Sequence, residues 1–243
     1  MFTLPVSYLI LLALASPALF RKQTRGWVIV LMLVLLCDVM ALLTGPDFQR
    51  VVFPGNTLHY NWGYKGLSLA FGLIVAIILI ASREFRSREL GLSFLQAPGT
   101  GRVLLTVVLP CLVLLVVLPA MYQGAKDHTL ETLVFQATMP GLTEELTFRG
   151  LYLALFDRMF AARFRVFGAE LGYGAIATSL AFGLVHAVPS DWYFGHVNYI
   201  LGIKTALFGL FMVWVRCRSR SLVLPVMLHN LCNTVPLIMP KVF

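Results

Sequence analysis

The stretch that decides the fold is "WVIVLMLVLLCDVMALLT", residues 27–44, in which Asp38 is the one charged residue. A helix crosses the hydrocarbon core of a bilayer with roughly 20 predominantly apolar residues, and this run approaches that length. Because no water reaches the core, the backbone must satisfy its own hydrogen bonds there, as a helix does. The stretch therefore predicts a transmembrane helix.

Apolar runs of similar length recur along the chain, about eight in all. They lie at 4–20, 27–44, 66–82, 103–122, 131–157, 172–188, 198–215 and 221–239. Of the 243 residues, 59% are hydrophobic and 12% are charged, and the mean hydropathy is +0.84. A soluble domain averages about 25% charged residues. We therefore expect an all-α, polytopic transmembrane helical bundle that forms one integral-membrane domain over residues 1–243.

The positively charged residues of the chain are concentrated in every second connection between these runs. The formal charge is +8, and most of the 19 Lys and Arg residues fall in alternate connections. These residues are Arg21, Lys22 and Arg25; Arg83, Arg86, Arg88 and Arg102; Arg158, Arg163 and Arg165; and Arg216, Arg218 and Arg220. Cytoplasmic loops carry the excess of Lys and Arg, so the alternation predicts that both termini lie outside the cytoplasm. A nucleic-acid partner, which requires a clustered basic face, is not expected.

Several ionisable residues lie inside the apolar runs, where charge is costly and commonly faces a cavity or another polar group. Glu131 and Asp157 lie at the ends of runs, and Lys204 can reach an interface on its long stem, so we interpret these three as structural. Asp38 has no companion motif, and we interpret it as the centre of an intramembrane hydrogen bond. The others form three short groups that are candidates for a functional site.

The first group lies in "GLTEELTFRG", residues 141–150. Glu145 and Arg149 are four residues apart with the acid first, which is the favourable order for an ion pair on a helix. Glu144 points about 100° away from Glu145. Arg149 can therefore neutralise Glu145, while Glu144 stays available as a general base. Taken alone, the segment is equally compatible with a charge-balanced contact between helices.

The second and third groups supply two imidazoles and a carboxamide. Phe182 and His186 are four residues apart, so the phenyl ring can pack beside the imidazole on one helix face. His229 and Asn233 share a face in the same way, and both can donate hydrogen bonds to developing negative charge. Each pair alone also suits polar contacts between membrane helices. Together with Glu144 they favour the attack of water on a carbonyl.

The order and spacing of EExxxR, FxxxH and HxxxN resemble those of the CAAX-protease and bacteriocin-processing family of intramembrane endopeptidases. The part of the chain that carries these motifs runs from about residue 130 to 240, and we expect it to be the catalytic core. The resemblance implies a substrate that is a membrane-associated protein or peptide. It also leads us to expect a multi-pass protein of the cytoplasmic membrane of a bacterium.

The resemblance also implies a role for each motif residue. Glu144 and His186 would activate the attacking water. His229 and Asn233 would stabilise the tetrahedral oxyanion. The residues that support the site would be Glu145, Arg149 and Phe182.

Two alternatives stay open at this point. Glu144, His186 and His229 could ligate zinc or another divalent metal together with a water. We favour a metal-free, glutamic-type enzyme without a cofactor, because Asn233 is a poor zinc ligand and a good oxyanion donor, and because HExxH is absent.

The other alternative is a transporter or partner-binding protein whose polar cluster binds an ion or a proton, although no internal repeat of the transporter kind is evident. The oligomeric state is not indicated.

Overall fold

The computed structural model describes residues 6–55, 58–123, 128–188, 197–240 and 242. Within these ranges the chain forms eight helices. They are α1 (Val6–Ala15, continued by a 3₁₀ turn over Ser16–Phe20), α2 (Arg25–Val52), α3 (Trp62–Ala81), α4 (Thr100–Gln123), α5 (130–159), α6 (Tyr173–Ala187), α7 (Tyr199–Ser219) and α8 (Val223–Ile238). An antiparallel hairpin of β1 (Arg163–Val166) and β2 (Ala169–Gly172) joins α5 to α6.

The predicted all-α membrane fold is confirmed. Helices α2, α3, α4 and α7 are long and apolar enough to cross a membrane, whereas α1, α6 and α8 are shorter apolar helices. The number of crossings, about eight, therefore stays a prediction. The hairpin was not predicted, since each strand has four residues and β1 has no buried position. Such a segment gives no alternation of apolar and polar residues long enough to read from the sequence.

Three of the basic connections lie together at one end of the bundle. The backbone N–H of Leu222 donates to the carbonyl of Gly91 at 2.8 Å, which joins the connection after α7 to the one after α3. Arg158, at the end of α5, forms an ion pair with Glu89 at 3.1 Å. These three connections therefore share one end of the bundle, in agreement with the alternation of charge along the sequence. We call it the basic end.

Asp38, on α2, joins the first three helices through hydrogen bonds. Its carboxylate accepts hydrogen bonds from the hydroxyls of Tyr8 on α1, Ser68 on α3 (2.6 Å) and Tyr64 on α3 (3.3 Å). The interpretation of Asp38 as an intramembrane hydrogen-bonding group is therefore confirmed. Since Tyr64 directly precedes Lys65, the network also fixes the part of α3 from which Lys65 projects.

Glu131 holds the start of α3, just before the residues that contact Asp38. Its carboxylate accepts hydrogen bonds from the backbone N–H groups of His59 (3.0 Å) and Tyr60 (3.1 Å) and from the indole of Trp62 (3.1 Å). The rings of Tyr60 and Trp62 also pack against Phe135 on α5. The start of α3 is thus attached to the start of α5, in agreement with a structural role for Glu131.

Helices α6 and α7 approach each other through small residues. A Cβ atom on Gly183 would lie 2.6 Å from the carbonyl oxygen of Gly202 and 2.7 Å from the Cβ of Ala206, so that position requires glycine. Small residues allow close backbone contact between membrane helices, where packing rather than the hydrophobic effect drives association. This contact holds the part of α6 that carries His186 against the rest of the bundle.

Candidate active site

The first motif lies where α5 changes its winding. The helix is α-helical over Leu130–Glu144, π-helical over Glu145–Tyr152 and α-helical again over Leu153–Met159. The wider turn of a π-helical segment directs neighbouring side chains differently from an α-helix. Two further π-helical segments lie in α4, over Leu104–Val108 and Val113–Val117. The change falls between Glu144 and Glu145, the two residues that the sequence assigns to different tasks.

Gly141 allows α8 to approach this part of α5. Its N–H donates to the side-chain oxygen of Asn230 at 2.9 Å. A Cβ atom at Gly141 would lie 2.3 Å from that oxygen and 2.8 Å from the carbonyl oxygen of Val226, so no larger residue fits. The neighbouring residue on α8 is His229, which this contact brings to the glutamate pair.

Glu145 lies at the centre of a fully buried charge cluster. Its Oε1 atom is 3.1 Å from Nη1 of Arg149 and 2.7 Å from Nδ1 of His229. The side chains of Glu145 and Arg149 are 0% and 1% exposed, and the guanidinium lies 4.1 Å from the ring centre of Phe182. The ion pair predicted from the i, i+4 spacing is present. Glu145 does more than pair with Arg149, because it also orients His229.

Glu144 faces a different set of groups. Its Oε1 atom accepts a hydrogen bond from the ammonium of Lys65 on α3 at 2.7 Å. Its Oε2 atom lies 3.8 Å from Nε2 of His229, which is too far for a direct hydrogen bond. This oxygen is buried and has no hydrogen-bond partner in the part of the chain that the structure describes. His186 makes no ion pair or hydrogen bond with this carboxylate; its ring hydrogen-bonds the Phe182 carbonyl instead.

His186 is held by its own helix. Its Nδ1 atom lies 2.8 Å from the carbonyl oxygen of Phe182, and the two rings pack with centres 4.6 Å apart. A carbonyl oxygen can only accept, so Nδ1 carries the proton and Nε2 is left with its lone pair in the neutral ring. The contact predicted from the FxxxH spacing is present, and it fixes the tautomer of the imidazole.

Asn233 lies one turn beyond His229 on α8. Its side chain is partly exposed and makes no hydrogen bond to another described residue. The helix places both residues on one face, as predicted. The other ionisable residues of the runs lie apart from this cluster: Asp157 pairs with Arg163 of the hairpin at 3.2 Å, and Lys204 is exposed on α7.

Lys65 is the site residue that the sequence did not reveal. It lies four residues into α3, and the sequence places it in a polar connection just before the apolar run 66–82. Its partner Glu144 is 79 residues away along the chain. A lone lysine at the edge of an apolar run resembles an interfacial residue, so only the packing of α3 on α5 could identify it.

The residues that the sequence offers as metal ligands are Glu144, His186 and His229. Among the described residues, no three His, Cys, Asp or Glu side chains converge on a common point suited to a metal ion. The ammonium of Lys65 also lies against Glu144, and a second cation at that carboxylate would be repelled by it.

Residues 126–235 match the family model described as Rce1-like, the type II CAAX prenyl endopeptidase Rce1-like family. The match covers just under half of the chain and includes all three motifs, whereas Lys65 and Asp38 lie outside it. No curated protein and no solved structure matches the chain. The resemblance inferred from the motifs is thus confirmed over that segment. It supports the activity of an intramembrane endopeptidase in general.

Proposed function

We propose that this protein, matched over residues 126–235 to the type II CAAX prenyl endopeptidase family, is a glutamic-type intramembrane endopeptidase. The observation that carries the proposal is the buried Oε2 of Glu144, which lies 3.8 Å from Nε2 of His229 and has no partner among the described residues. A buried carboxylate oxygen requires a polar partner. A water molecule that bridges the two groups would satisfy both and would be placed for attack on a peptide carbonyl.

Glu144 and His186 activate this water in the proposed mechanism. Glu144 accepts a proton from the water as its oxygen bonds to the carbonyl carbon, and general-base assistance of this kind contributes about 10²- to 10⁴-fold. Nε2 of His186 is free to accept a proton, because Nδ1 donates to the carbonyl of Phe182. When the intermediate collapses, the same pair returns a proton to the departing amine.

His229 and Asn233 stabilise the oxyanion. The carboxylate of Glu145 lies 2.7 Å from Nδ1 of His229 and orients the ring, as a buried carboxylate does for a catalytic histidine elsewhere. When the ring carries a proton on both nitrogens, its Nε2–H and the amide of Asn233 donate to the developing charge. Glu145 and Arg149 are positioning residues in this scheme, because they act through His229.

Lys65 is proposed to hold Glu144 in its working position. Without the ammonium, the buried carboxylate loses its counter-charge and its hydrogen bond at 2.7 Å. We expect Lys65→Met to lower kcat about 10- to 100-fold with little change in KM, since truncating one partner of a buried charge pair costs roughly 2 kcal/mol or more. Steady-state cleavage kinetics measure both constants. Lys204→Met, on the exposed face of α7, is the matched control, and equal kcat values for the two variants would contradict this role.

The reaction itself is tested with the purified full chain in liposomes that contain a membrane-associated peptide. We expect peptide hydrolysis whose rate stays within about twofold after treatment with a strong chelator, because no step of the mechanism uses a metal ion. Two peptides that differ only in a prenyl thioether test whether that group is recognised. Loss of activity with the chelator and recovery with zinc would contradict the glutamic mechanism. Ion or solute flux without peptide cleavage would favour the transporter alternative.

A further inference from the structure

A second polar cavity lies at the basic end of the bundle, and the proposed reaction does not use it. It has a volume of about 1120 Å³ and is bordered by the connections that follow α3, α5 and α7. Its lining contains nine arginines and four carboxylates. Lys65 lies 16 residues before the end of α3 at Ala81, which is about 24 Å along the helix. The cavity is therefore separate from the glutamate site.

Some of the arginines are engaged within the protein. Arg158 pairs with Glu89, and Arg163 pairs with Asp157. The others that are engaged donate to backbone carbonyls: Arg216 to Arg149 and Glu89, and Arg218 to Pro98. Glu89 and Asp157 are thus already paired, so they do not neutralise the charge of the other arginines.

The remaining arginines supply the charge that is available to a ligand. Their side chains make no ion pair or hydrogen bond with another residue that the structure describes, and these arginines are Arg83, Arg86, Arg88, Arg165 and Arg220. Guanidinium groups match the oxygens of a phosphate with paired, charge-assisted hydrogen bonds. Five of them around one cavity indicate a site for an anionic phosphate group.

Apolar side chains on the same connections indicate where that phosphate comes from. Phe94 and Leu95, in the connection after α3, are 93% and 69% exposed, and Phe167, at the tip of the hairpin, is 88% exposed. Phe and Leu side chains at a membrane surface are buried at the boundary between headgroups and acyl chains. A soluble phosphate would gain nothing from them, whereas a phospholipid places its acyl chains beside them.

We propose that this cavity binds the phosphate headgroup of an anionic phospholipid. The unpaired arginines contact the phosphate, and Phe94, Leu95 and Phe167 contact the adjoining acyl chains. Since the site lies at the end of the bundle that carries the excess of positive charge, the lipid belongs to the leaflet on that side. The proposal stands independently of the peptidase mechanism.

The test measures lipid binding to the purified full chain in neutral detergent by native mass spectrometry. Phosphatidylglycerol is the anionic probe and phosphatidylcholine the neutral one. We expect the wild type to retain phosphatidylglycerol and the variant Arg86→Ala/Arg88→Ala/Arg165→Ala to bind it about 100-fold more weakly, because each basic side chain near an anionic lipid contributes roughly a fivefold factor. Thermal unfolding compares the folds. If the triple variant does not fold, Arg88→Gln/Arg165→Gln, changed only at exposed positions, takes its place.

The matched control is Arg21→Ala/Lys22→Ala/Arg25→Ala, which removes three charges outside the cavity. These residues lie near the same end of the bundle, because Trp27 at the start of α2 packs against Phe85 with ring centres 5.4 Å apart. We expect this control to bind phosphatidylglycerol within about fivefold of the wild type. Equal loss in both triple variants would show diffuse attraction and overturn the proposal. Equal retention of phosphatidylcholine and phosphatidylglycerol would also overturn it. Displacement of the lipid by inorganic phosphate at equal concentration would assign the cavity to a soluble phosphate and overturn the lipid assignment.

Discussion

Glu144→Gln should lower the rate of peptide hydrolysis about 1,000-fold and leave the protein folded. The amide keeps the shape of the carboxylate but cannot accept the proton of the attacking water, and loss of a general base costs about 10²- to 10⁴-fold. The side-chain oxygen of the glutamine can still accept the hydrogen bond from Lys65, which is 2.7 Å long in the wild type. Single-turnover cleavage in liposomes measures the rate, and thermal unfolding in detergent verifies the fold.

The control for this prediction is Glu170→Gln, the same change at an exposed glutamate of the hairpin. It should cleave at the wild-type rate, because Glu170 lies at the basic end and not at the glutamate site. A folded Glu144→Gln variant with more than about one tenth of the wild-type rate would show that Glu144 is not the base, since the smallest usual contribution of such a group is about 10²-fold.

Arg149→Met should have the largest effect on stability. The guanidinium is fully buried and neutralises Glu145 at 3.1 Å, so its removal leaves a buried carboxylate with His229 as its remaining partner. Breaking a buried ion pair by removing one partner costs about 3–5 kcal/mol. The contact of Arg149 with the Phe182 ring at 4.1 Å is lost as well. Reversible unfolding in mixed micelles measures the free energy.

The double variant Glu145→Gln/Arg149→Met distinguishes the stability lost through an unpaired charge from the stability lost through missing packing contacts. Removing both charges leaves no uncompensated ion, so we expect it to recover about half of the stability lost by Arg149→Met. Hydrolysis should stay low in the double variant, because a neutral amide in place of the Glu145 carboxylate removes the charged partner that orients His229. Equal instability of the single and double variants would contradict the view that an unpaired Glu145 is the cause.

Much of the fold follows from local patterns in the sequence. Hydropathy predicts helices because a backbone in lipid must satisfy its own hydrogen bonds. The spacing of four residues predicts the Glu145–Arg149 pair and the Phe182–His186 contact, since both depend on one helix. Patterns of this kind need no knowledge of how the helices pack.

Contacts between distant helices could not be predicted in this way. Lys65 reaches Glu144 across 79 residues, and His229 reaches Glu145 across 84 residues. Which face of one helix meets another depends on close approaches such as that at Gly141, which the sequence presents as an ordinary glycine. The π-helical turn at Glu145–Tyr152 has no sequence signature of its own either. The second role of Glu145, as the partner of His229, follows only from this packing.

Water activated at Glu144 is expected to hydrolyse a peptide bond of a membrane-associated peptide. The most direct test is cleavage of one membrane-associated peptide in water enriched in oxygen-18, with the wild type and Glu144→Gln in identical liposomes and mass spectrometry of the products. We expect two fragments from the wild type, with one heavy oxygen at the new carboxyl terminus, and we expect them to form about 1,000-fold more slowly with Glu144→Gln. The same labelled fragments at the same rate from both proteins would contradict the claim.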